Sequence, residues 1–346
     1  MKKKNTIIYF ALTLTMTPAI ADPSKNLQTL EVSKVVQAFE TSISNDIKGR
    51  FTLAKTIDSQ SESYQKVNEL INARYTYPQG FQIDEQRDLL YLLRYSNGHP
   101  ARGIIEKYQW STGALVSTYI INEPQASISE SIVIEHTGKG DFAYIRSDNQ
   151  LVRYQLIEPN EAFGSTKKLD ILFDNVAQSF YKKNNYWYLE KYKTTPDHIG
   201  QSRGEYFVLD ENFNHVKDVS FSPLYAGYRE SEKFNIPKHQ GFAVLNDGYI
   251  MSMGGYWSDK TGTTPYHYYG INVFNSDGSI KSSNYVSPAT LFSELSRLGI
   301  HAYKNENEGI QVMNDGSLMV LQVVQTKEHR NSQFLFINFS LASQKK

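Results

Sequence analysis

The chain has 346 residues, with 36 basic side chains, 36 acidic side chains and no cysteine. The lack of cysteine excludes disulfides and a lipid-anchored cysteine. The balanced charge provides no basic surface for a nucleic-acid backbone, so we expect no nucleic-acid partner. The 24 tyrosines and 18 phenylalanines favour half-buried β-strands.

The N-terminus has the pattern of a secretory signal peptide over residues 1–21. Lys2, Lys3 and Lys4 precede an apolar run of about ten residues, and Ala19-Ile20-Ala21 forms a small-residue cleavage site. Neither this run nor any later one is long enough to span a bilayer, so we expect no membrane insertion. Cleavage after Ala21 predicts a secreted or periplasmic protein with 33 basic and 36 acidic residues.

Residues 22–73 form a lead-in segment before the repeats. Apolar residues from Leu27 to about Ile47 fall near helical spacing, which predicts one amphipathic helix ending near Gly49. The next stretch, Arg50 to Ile57, alternates between apolar and polar residues as a strand does. We therefore expect a helical extension and then a strand ahead of the main domain.

A short phrase occurs five times over residues 74–346. Each copy has Gln or Glu, then Gly or Ser, then Phe or Ile, and a strand-like run follows. Repetition at roughly 40 to 50 residues with several short strands per copy is typical of propeller blades. The sequence therefore predicts an all-β fold, a five-bladed β-propeller with an N-terminal helical extension. Its blades begin near residues 79, 130, 178, 240 and 308, at Gln79-Gly80-Phe81, Glu130-Ser131-Ile132, Gln178-Ser179-Phe180, Gln240-Gly241-Phe242 and Glu308-Gly309-Ile310.

The fifth copy is followed by only three recognisable strands. Asn314-Asp315-Gly316 is a hairpin turn between the first two of them, as Asn246-Asp247-Gly248 is in the fourth copy. Propellers avoid open sheet edges by closing the ring. We expect either Arg50–Ile57 or Arg74–Pro78 to supply the missing strand.

The phrases around Gln79, Gln240 and Glu308 carry a resemblance. At this spacing the chain, over roughly residues 75–340, resembles the β-propeller of certain staphylococcal-phage receptor-binding proteins, the teichoic-acid biosynthesis protein C family and the bacteriocin helveticin J. The resemblance implies a five-bladed propeller that binds a wall glycopolymer or acts on an envelope. The chain departs from the phage proteins in its signal peptide and in lacking an obvious tail-attachment region.

The polar first residue of the phrase is the main candidate for a ligand site. In a five-bladed ring these side chains would line the central channel and hydrogen bond a ligand. The alternative is that they bond the backbone of neighbouring blades. A further alternative is a glycoside or phosphodiester hydrolase, because two channel carboxylates, Glu130 and Glu308, could act as acid and base or as acid and nucleophile. The five candidates are Gln79, Glu130, Gln178, Gln240 and Glu308.

Two further groups are candidate ligand contacts. Tyr256 and Trp257 lie in a glycine-flanked polar loop, where exposed aromatic rings often bind, and His239 directly precedes Gln240. His239, His267 and His301 lack the spacing of a metal motif, so no metal is expected. No glycine-rich phosphate loop occurs, and no cofactor is expected. Four arginines of the first two blades could meet the phosphates of an anionic polymer, and solvent-facing strand positions explain them equally well: Arg94, Arg102, Arg146 and Arg153.

These observations lead to one functional expectation and two alternatives. We expect a secreted propeller that binds a carbohydrate or cell-envelope glycopolymer at its central funnel. The alternatives are the hydrolase described above and a scaffold for a protein partner, because a propeller fold does not determine function.

Overall fold

The computed structural model describes residues 51–58, 62–72, 76–96, 101–123, 128, 130–159, 163–192, 194–195, 198–199, 204–221, 238–254, 257–258, 269–286, 288–326 and 333–339. The predicted signal peptide, residues 1–21, and the predicted helix over 27–47 lie outside these residues. Neither of the two helices in the described part of the chain has the length and apolar character needed to cross a membrane.

The described chain begins with strand β1 (Phe51–Asp58) and helix α1 (Glu62–Leu70). Val67 in the helix and Ile71 just after it are buried against Ile104 and Ile120 of the first blade. The helix therefore covers the outer part of that blade with its apolar side.

Blades 1 and 2 are four-stranded antiparallel sheets. Their outermost strands pair in parallel, Tyr119 with Gly164 and Ile120 with Ser165, so the two blades form one eight-stranded sheet. The fourth strand of blade 2 was not predicted, because its Lys167, Lys168 and Asp170 hide the apolar alternation. The strands are β2 (Thr76–Asp84), β3 (Leu89–Ser96), β4 (Gly103–Gln109), β5 (Leu115–Ile120), β6 (Val133–Thr137), β7 (Gly140–Ser147), β8 (Gln150–Ile157) and β9 (Gly164–Asp174).

Blades 3 and 4 are separate four-stranded antiparallel sheets. Blade 3 has the order β10-β11-β14-β15 and blade 4 the order β16-β17-β19-β20. A two-residue ribbon, β12 with β13, and the short strand β18 interrupt these series. The bounds are β10 (Val176–Lys183), β11 (Tyr186–Lys191), β12 (Thr194–Thr195), β13 (His198–Ile199), β14 (Glu205–Asp210), β15 (His215–Ser220), β16 (Lys238–Val244), β17 (Gly248–Gly254), β18 (Trp257–Ser258), β19 (Tyr269–Asn275) and β20 (Ile280–Val286).

Blade 5 closes the ring with a strand from the other end of the repeats. Helix α2 (Pro288–Arg297) leads into β21 (Ala302–Val312), β22 (Leu318–Thr326) and β23 (Gln333–Phe339). Strand β1 pairs antiparallel with β23, from Phe51–Phe339 to Asp58–Gln333. The expectation that Arg50–Ile57 or Arg74–Pro78 closes the ring is confirmed for the first of the two. The protein is an all-β, five-bladed propeller.

Helix α2 was not predicted from the sequence. Its Leu291 and Leu295 are buried against Ala243 of blade 4 and Val320 of blade 5. The helix thus adds its apolar face to the core between the last two blades.

The hydrophobic core is divided among the five spaces between blades. The third residue of each phrase copy lies in a different one of these clusters. Between blades 5 and 1, for example, the rings of Phe81 and Phe336 pack edge to face with their centres 5.3 Å apart. Between blades 3 and 4, the ring of Tyr206 stacks on that of Phe242 with their centres 4.1 Å apart. Burial of one such side chain contributes about 1.5 to 3 kcal/mol. The large apolar third residue therefore wedges the blades together, and the five are Phe81, Ile132, Phe180, Phe242 and Ile310.

Candidate functional site

The five phrase copies contact one another in ring order. The backbone of Gly80 lies against Glu130 and Ser131 of blade 2, Gly241 lies against Gly309 and Ile310 of blade 5, and Gly309 lies in turn against Phe81 of blade 1. Between blades 2 and 3 the Glu130 amide donates to the Gln178 carbonyl at 3.0 Å. Between blades 3 and 4, β10 contacts β16. The first strand of every blade therefore faces the propeller axis.

The small second residue of the phrase is required by this close approach. A Cβ atom on Gly80 would lie 2.9 Å from the Ser131 nitrogen, and one on Gly241 would lie 2.8 Å from the Ile310 nitrogen. Both distances are shorter than a carbon atom tolerates. Gly241 also has a φ of 143°, which favours glycine over other residues. The repeated Gly or Ser thus marks the level at which the inner strands approach most closely.

The phrase also interrupts the pairing of the inner strand with its neighbour. In blades 1, 3, 4 and 5 the register shifts at the phrase, as at a β-bulge. In blade 3 the carboxylate of Glu190 accepts hydrogen bonds from the amides of Gln178 and Ser179, at 3.1 and 3.0 Å. In each of the five blades, the second strand carries a buried polar residue near this level. These residues are Arg94, Arg146, Glu190, Ser252 and Gln322.

A cavity of about 320 Å³, called here the central cavity, lies along the axis. It extends from the phrases toward the carboxyl ends of the inner strands, and all five blades contribute to its wall. A volume near 300 Å³ is at the lower end of the range for small-molecule sites. The lining residues are Phe81, Gln82, Glu130, Ser131, Ile132, Val133, Ile134, Glu135, Phe180, Tyr181, Lys182, Asn184, Gly241, Phe242, Gly309, Ile310 and Gln311.

An ion pair between blades 2 and 3 forms one side of the cavity. Lys182 donates to the carboxylate of Glu135, which also accepts from the Tyr144 hydroxyl at 2.5 Å. The Lys182 ammonium lies 4.9 Å from the centre of the Trp187 ring and 5.9 Å from that of Tyr144. Burial raises the pKa of the Glu135 carboxyl, but the hydrogen bonds from Lys182 and Tyr144 outweigh it and leave this pKa below its ordinary value. The Glu135 carboxylate is therefore ionised at neutral pH and is held in place by Lys182 and Tyr144.

Two glutamines of the cavity wall hold adjacent blades together. The Gln82 side chain accepts from the Ile134 amide at 2.7 Å and donates to the Ile134 carbonyl at 3.3 Å. Gln311 accepts from the Ile83 amide at 2.7 Å and donates to its carbonyl at 2.8 Å. Both occupy the third position after the start of a phrase copy. One alternative drawn from the sequence is that the polar first residue of the phrase bonds the backbone of a neighbouring blade. In the structure, Gln82 and Gln311 make such contacts from a position three residues later.

Tyr181 occupies the same position in blade 3 and lines the cavity between blades 3 and 4. Its ring packs beside the core clusters of blades 3, 4 and 5, while the residue as a whole remains partly accessible. Being surrounded by protein, the hydroxyl has a pKa raised to about 12. It is therefore a neutral phenol at physiological pH.

The predicted ring residues do not all face this cavity. Glu130 lines it and is buried. The side chain of Gln240 donates to the carboxylates of Glu306 at 3.3 Å and Glu308 at 3.4 Å, and Gln79 donates to its neighbour Pro78 at 3.1 Å. The structure therefore brings Gln240 and Glu308 together, and joins Glu130 to Gln178 through their backbones.

The remaining predicted contacts lie toward the start of the inner strands. His239 is part of β16, where it is paired with Met253. Trp257 belongs to β18, which pairs with β21 at Asn305, three residues before Glu308. The loop that contains Trp257 thus adds a short strand to the axial edge of blade 5, while Tyr256 lies outside the described residues.

The histidines considered as metal ligands are not assembled in the described structure. His301 is exposed just before β21, and His267 lies outside the described residues. Within the part of the chain that is described, no three His, Asp or Glu side chains come close enough to hold a metal ion.

Sequence reasoning missed the residues that give the cavity its polarity. Glu135, Tyr181, Lys182, Gln82 and Gln311 all lie three to five positions after a phrase begins. Counting forward from each phrase would have identified these wall positions. The residues there differ from copy to copy, so a search for repetition passes over them.

Comparison with known proteins identifies the fold alone. No family model matches the chain, and no curated protein matches it. Among solved structures, the tail fiber of Staphylococcus aureus phage P68 aligns with 84% of this chain at a TM-score of 0.51 and 14% identity. The aligned part is 53% of the tail fiber, so the chain spans about half of that protein.

Two other solved structures are similar at lower scores. An α-L-arabinofuranosidase from Lactobacillus brevis aligns with 77% of this chain and 90% of its own at 12% identity and a TM-score of 0.45. The Dos1 propeller aligns with 78% of this chain and 59% of its own at 10% identity and a TM-score of 0.33. At these scores neither bears on function.

Proposed function

We propose that the protein is secreted or periplasmic and binds a carbohydrate unit of a cell-envelope glycopolymer in the central cavity. The observation that carries the proposal is the cavity itself. It has a volume of about 320 Å³, lies on the propeller axis, and combines phenylalanine and tyrosine rings with glutamine, glutamate and lysine side chains. Sugars offer both an apolar ring face and hydroxyl groups, and a wall of this mixed character complements both.

The likeness of this fold to the tail fiber of a Staphylococcus aureus phage is consistent with this proposal. The resemblance of the phrases to phage receptor-binding proteins, teichoic-acid biosynthesis protein C and helveticin J points to the same class of wall polymer. Export follows from the predicted cleavage after Ala21, and a mature chain isolated from the producing cell should begin at Asp22.

The test is a glycan-array screen of the chain from Asp22 onward, together with the variant Lys182→Met. The wild type should bind a defined set of carbohydrates, and the variant should lose them because it breaks the ion pair of the cavity wall. A variant outside the cavity, Lys281→Met, serves as the control, since Lys281 pairs with Asp247 at the surface. The proposal fails if the wild type binds no carbohydrate, or if Lys182→Met folds and binds as the wild type does.

The same screen examines the hydrolase alternative. That alternative requires Glu130 and Glu308 to act on one bond, and of these two only Glu130 lines the cavity while Glu308 is hydrogen bonded to Gln240. Release of a shortened glycan by the wild type but not by Glu130→Gln would favour catalysis over binding.

A further inference from the structure

The polar groups of the central cavity differ in how far the protein already uses them. The side-chain oxygen and nitrogen of both Gln82 and Gln311 are already hydrogen bonded to the backbone of the next blade. Glu135 accepts from Lys182 and Tyr144, and the Ser131 hydroxyl accepts from the Phe180 amide at 3.2 Å. A ligand could engage these groups only in competition with contacts that hold the blades together.

Tyr181 differs from these residues. Within the part of the chain that the structure describes, its hydroxyl makes no hydrogen bond, and it is not among the buried polar atoms that lack a partner. The residue is partly exposed and lines the cavity, so its hydroxyl keeps contact with the cavity although protein surrounds most of it. A phenol in this setting can donate one hydrogen bond and accept another without breaking any contact of the protein.

The charges of the cavity wall disfavour an anion. The charged lining residues are Glu130, Glu135 and Lys182, two carboxylates against one ammonium, and the ammonium is paired with Glu135. Arg94 and Arg146, which could have met phosphates, are buried within blades 1 and 2 and do not line the cavity. A carboxylate or phosphate entering this space would lose its hydration and gain no available cation.

We propose that Tyr181 is the specificity-determining residue of the cavity and that the unit it admits is an uncharged polyhydroxyl ring, one of whose hydroxyls bonds the Tyr181 phenol. This inference rests on the proposed carbohydrate-binding function. It adds that a charged polymer would be recognised through a neutral sugar unit and not through its phosphates or carboxylates.

The first experiment compares Tyr181→Phe with the wild type by isothermal titration calorimetry. The probe is the neutral oligosaccharide bound most tightly among maltotriose, cellotriose and chitotriose. The variant removes one oxygen atom and keeps the ring that packs in the core, so its thermal unfolding should match the wild type. Loss of one hydrogen bond should weaken binding about five- to tenfold. The matched control is Tyr186→Phe, because Tyr186 is exposed on the neighbouring strand and should bind as the wild type does.

The second experiment measures trigalacturonic acid against the neutral probes. We expect neutral binding that changes little with salt concentration, and acidic binding at least tenfold weaker. Tighter binding of the acidic probe, or unchanged affinity in a folded Tyr181→Phe, would overturn this inference while leaving carbohydrate binding intact. Absence of binding to every probe would instead contradict the proposed function, and this inference with it.

Discussion

The side-chain amide of Gln311 forms two hydrogen bonds with the backbone of Ile83, accepting from its nitrogen at 2.7 Å and donating to its oxygen at 2.8 Å. Gln311 belongs to blade 5 and Ile83 to blade 1, so the amide continues the strand pairing across the gap where the ring closes. Gln82 repeats the arrangement on Ile134 of blade 2. The inner edges of these strands are therefore paired by side chains where no further strand is available.

Replacing this amide should destabilise the ring. Gln311→Ala leaves the amide and carbonyl of Ile83 without these two bonds, and we expect a loss of about 2 kcal/mol in the free energy of unfolding. Chemical denaturation measures the change. Gln150→Ala is the control, because the Gln150 side chain donates at 2.8 Å to Asp174, which is exposed, and it should cost less than about 0.5 kcal/mol. If both variants lowered the free energy of unfolding equally, the contact between the blades would contribute no more to stability than a surface hydrogen bond.

A methyl group at the level of closest approach should be poorly tolerated. Gly80→Ala places a Cβ 2.9 Å from the Ser131 nitrogen, which is a backbone atom of blade 2 and cannot move alone. We expect a destabilisation of about 1 to 3 kcal/mol from overpacking, seen as a lower midpoint of thermal unfolding. Gly138→Ala, with no atom within 4 Å of the new Cβ, should unfold within a degree or two of the wild type. A stable Gly80→Ala would mean that the inner strands can separate at little cost.

The buried ion pair of blade 1 should be sensitive to loss of one partner. Arg94 donates to Glu106 at 2.5 Å, and both side chains are at most 1% exposed. Glu106→Ala leaves the Arg94 guanidinium buried without that carboxylate, and we expect a cost of about 3 to 5 kcal/mol. Asp170→Ala removes the partner of Arg153 from a pair in which both side chains are more than a third exposed, and should cost less than about 1 kcal/mol. Urea denaturation measures the stability of both variants. Equal unfolding midpoints for Glu106→Ala and Asp170→Ala would contradict this prediction.

Stability should fall in acid partly through Glu135. The pKa of its carboxyl is lowered in the folded state relative to its ordinary value, so this ion pair stabilises the fold above that ordinary value. The contribution should disappear as the pH falls from about 5 through the lowered pKa. Glu135→Gln should therefore flatten the acid limb of a plot of unfolding free energy against pH. The comparison variant is Glu211→Gln in the exposed turn after β14, and the limb should flatten more in Glu135→Gln than in this variant. A limb as steep in Glu135→Gln as in the wild type would contradict the assignment.

The strand that closes the ring should be indispensable. A chain lacking residues 1–58 loses β1, exposes the edge of β23 and leaves the space filled by Ile57 empty. Open edges of this kind pair with other chains, so we expect aggregation in place of a monomeric propeller. Size-exclusion chromatography of this chain beside one beginning at Asp22 provides the comparison. A monomeric, cooperatively folding truncation would show that four blades and three strands suffice.

The repeated phrase explains how much of the molecule could be predicted. The phrase reflects three requirements that every blade shares. It marks the strand of each blade that faces the axis, its small second residue allows neighbouring blades to approach closely, and its large third residue packs in the core between them. The number and order of blades followed from it. Strand β9 and helix α2 did not, because β9 is largely exposed and α2 has no counterpart in the other blades.

The candidate site was only partly accessible to the same reasoning. Glu130 belongs to the repeated position and does line the cavity. Tyr181 occupies the place held in the other copies by Gln82, Val133, Ala243 and Gln311. Only the structure shows that Gln82, Val133 and Gln311 line the cavity with Tyr181, while Ala243 is buried in the core. Ligand recognition needs asymmetry within a symmetric ring, so the informative residues are those that a search for repetition averages away.

The pairing of β1 with β23 also determines the order in which the molecule can be completed. Strand β1 leaves the ribosome before every other described strand, and β23 leaves after all of them. The first strand must therefore wait, without its partner, while four blades and most of a fifth are synthesised. Contacts between such distant parts of a chain form slowly. A protein built in this way remains unclosed until its last strand has been synthesised, so the complete ring can form only after translation of the propeller has ended.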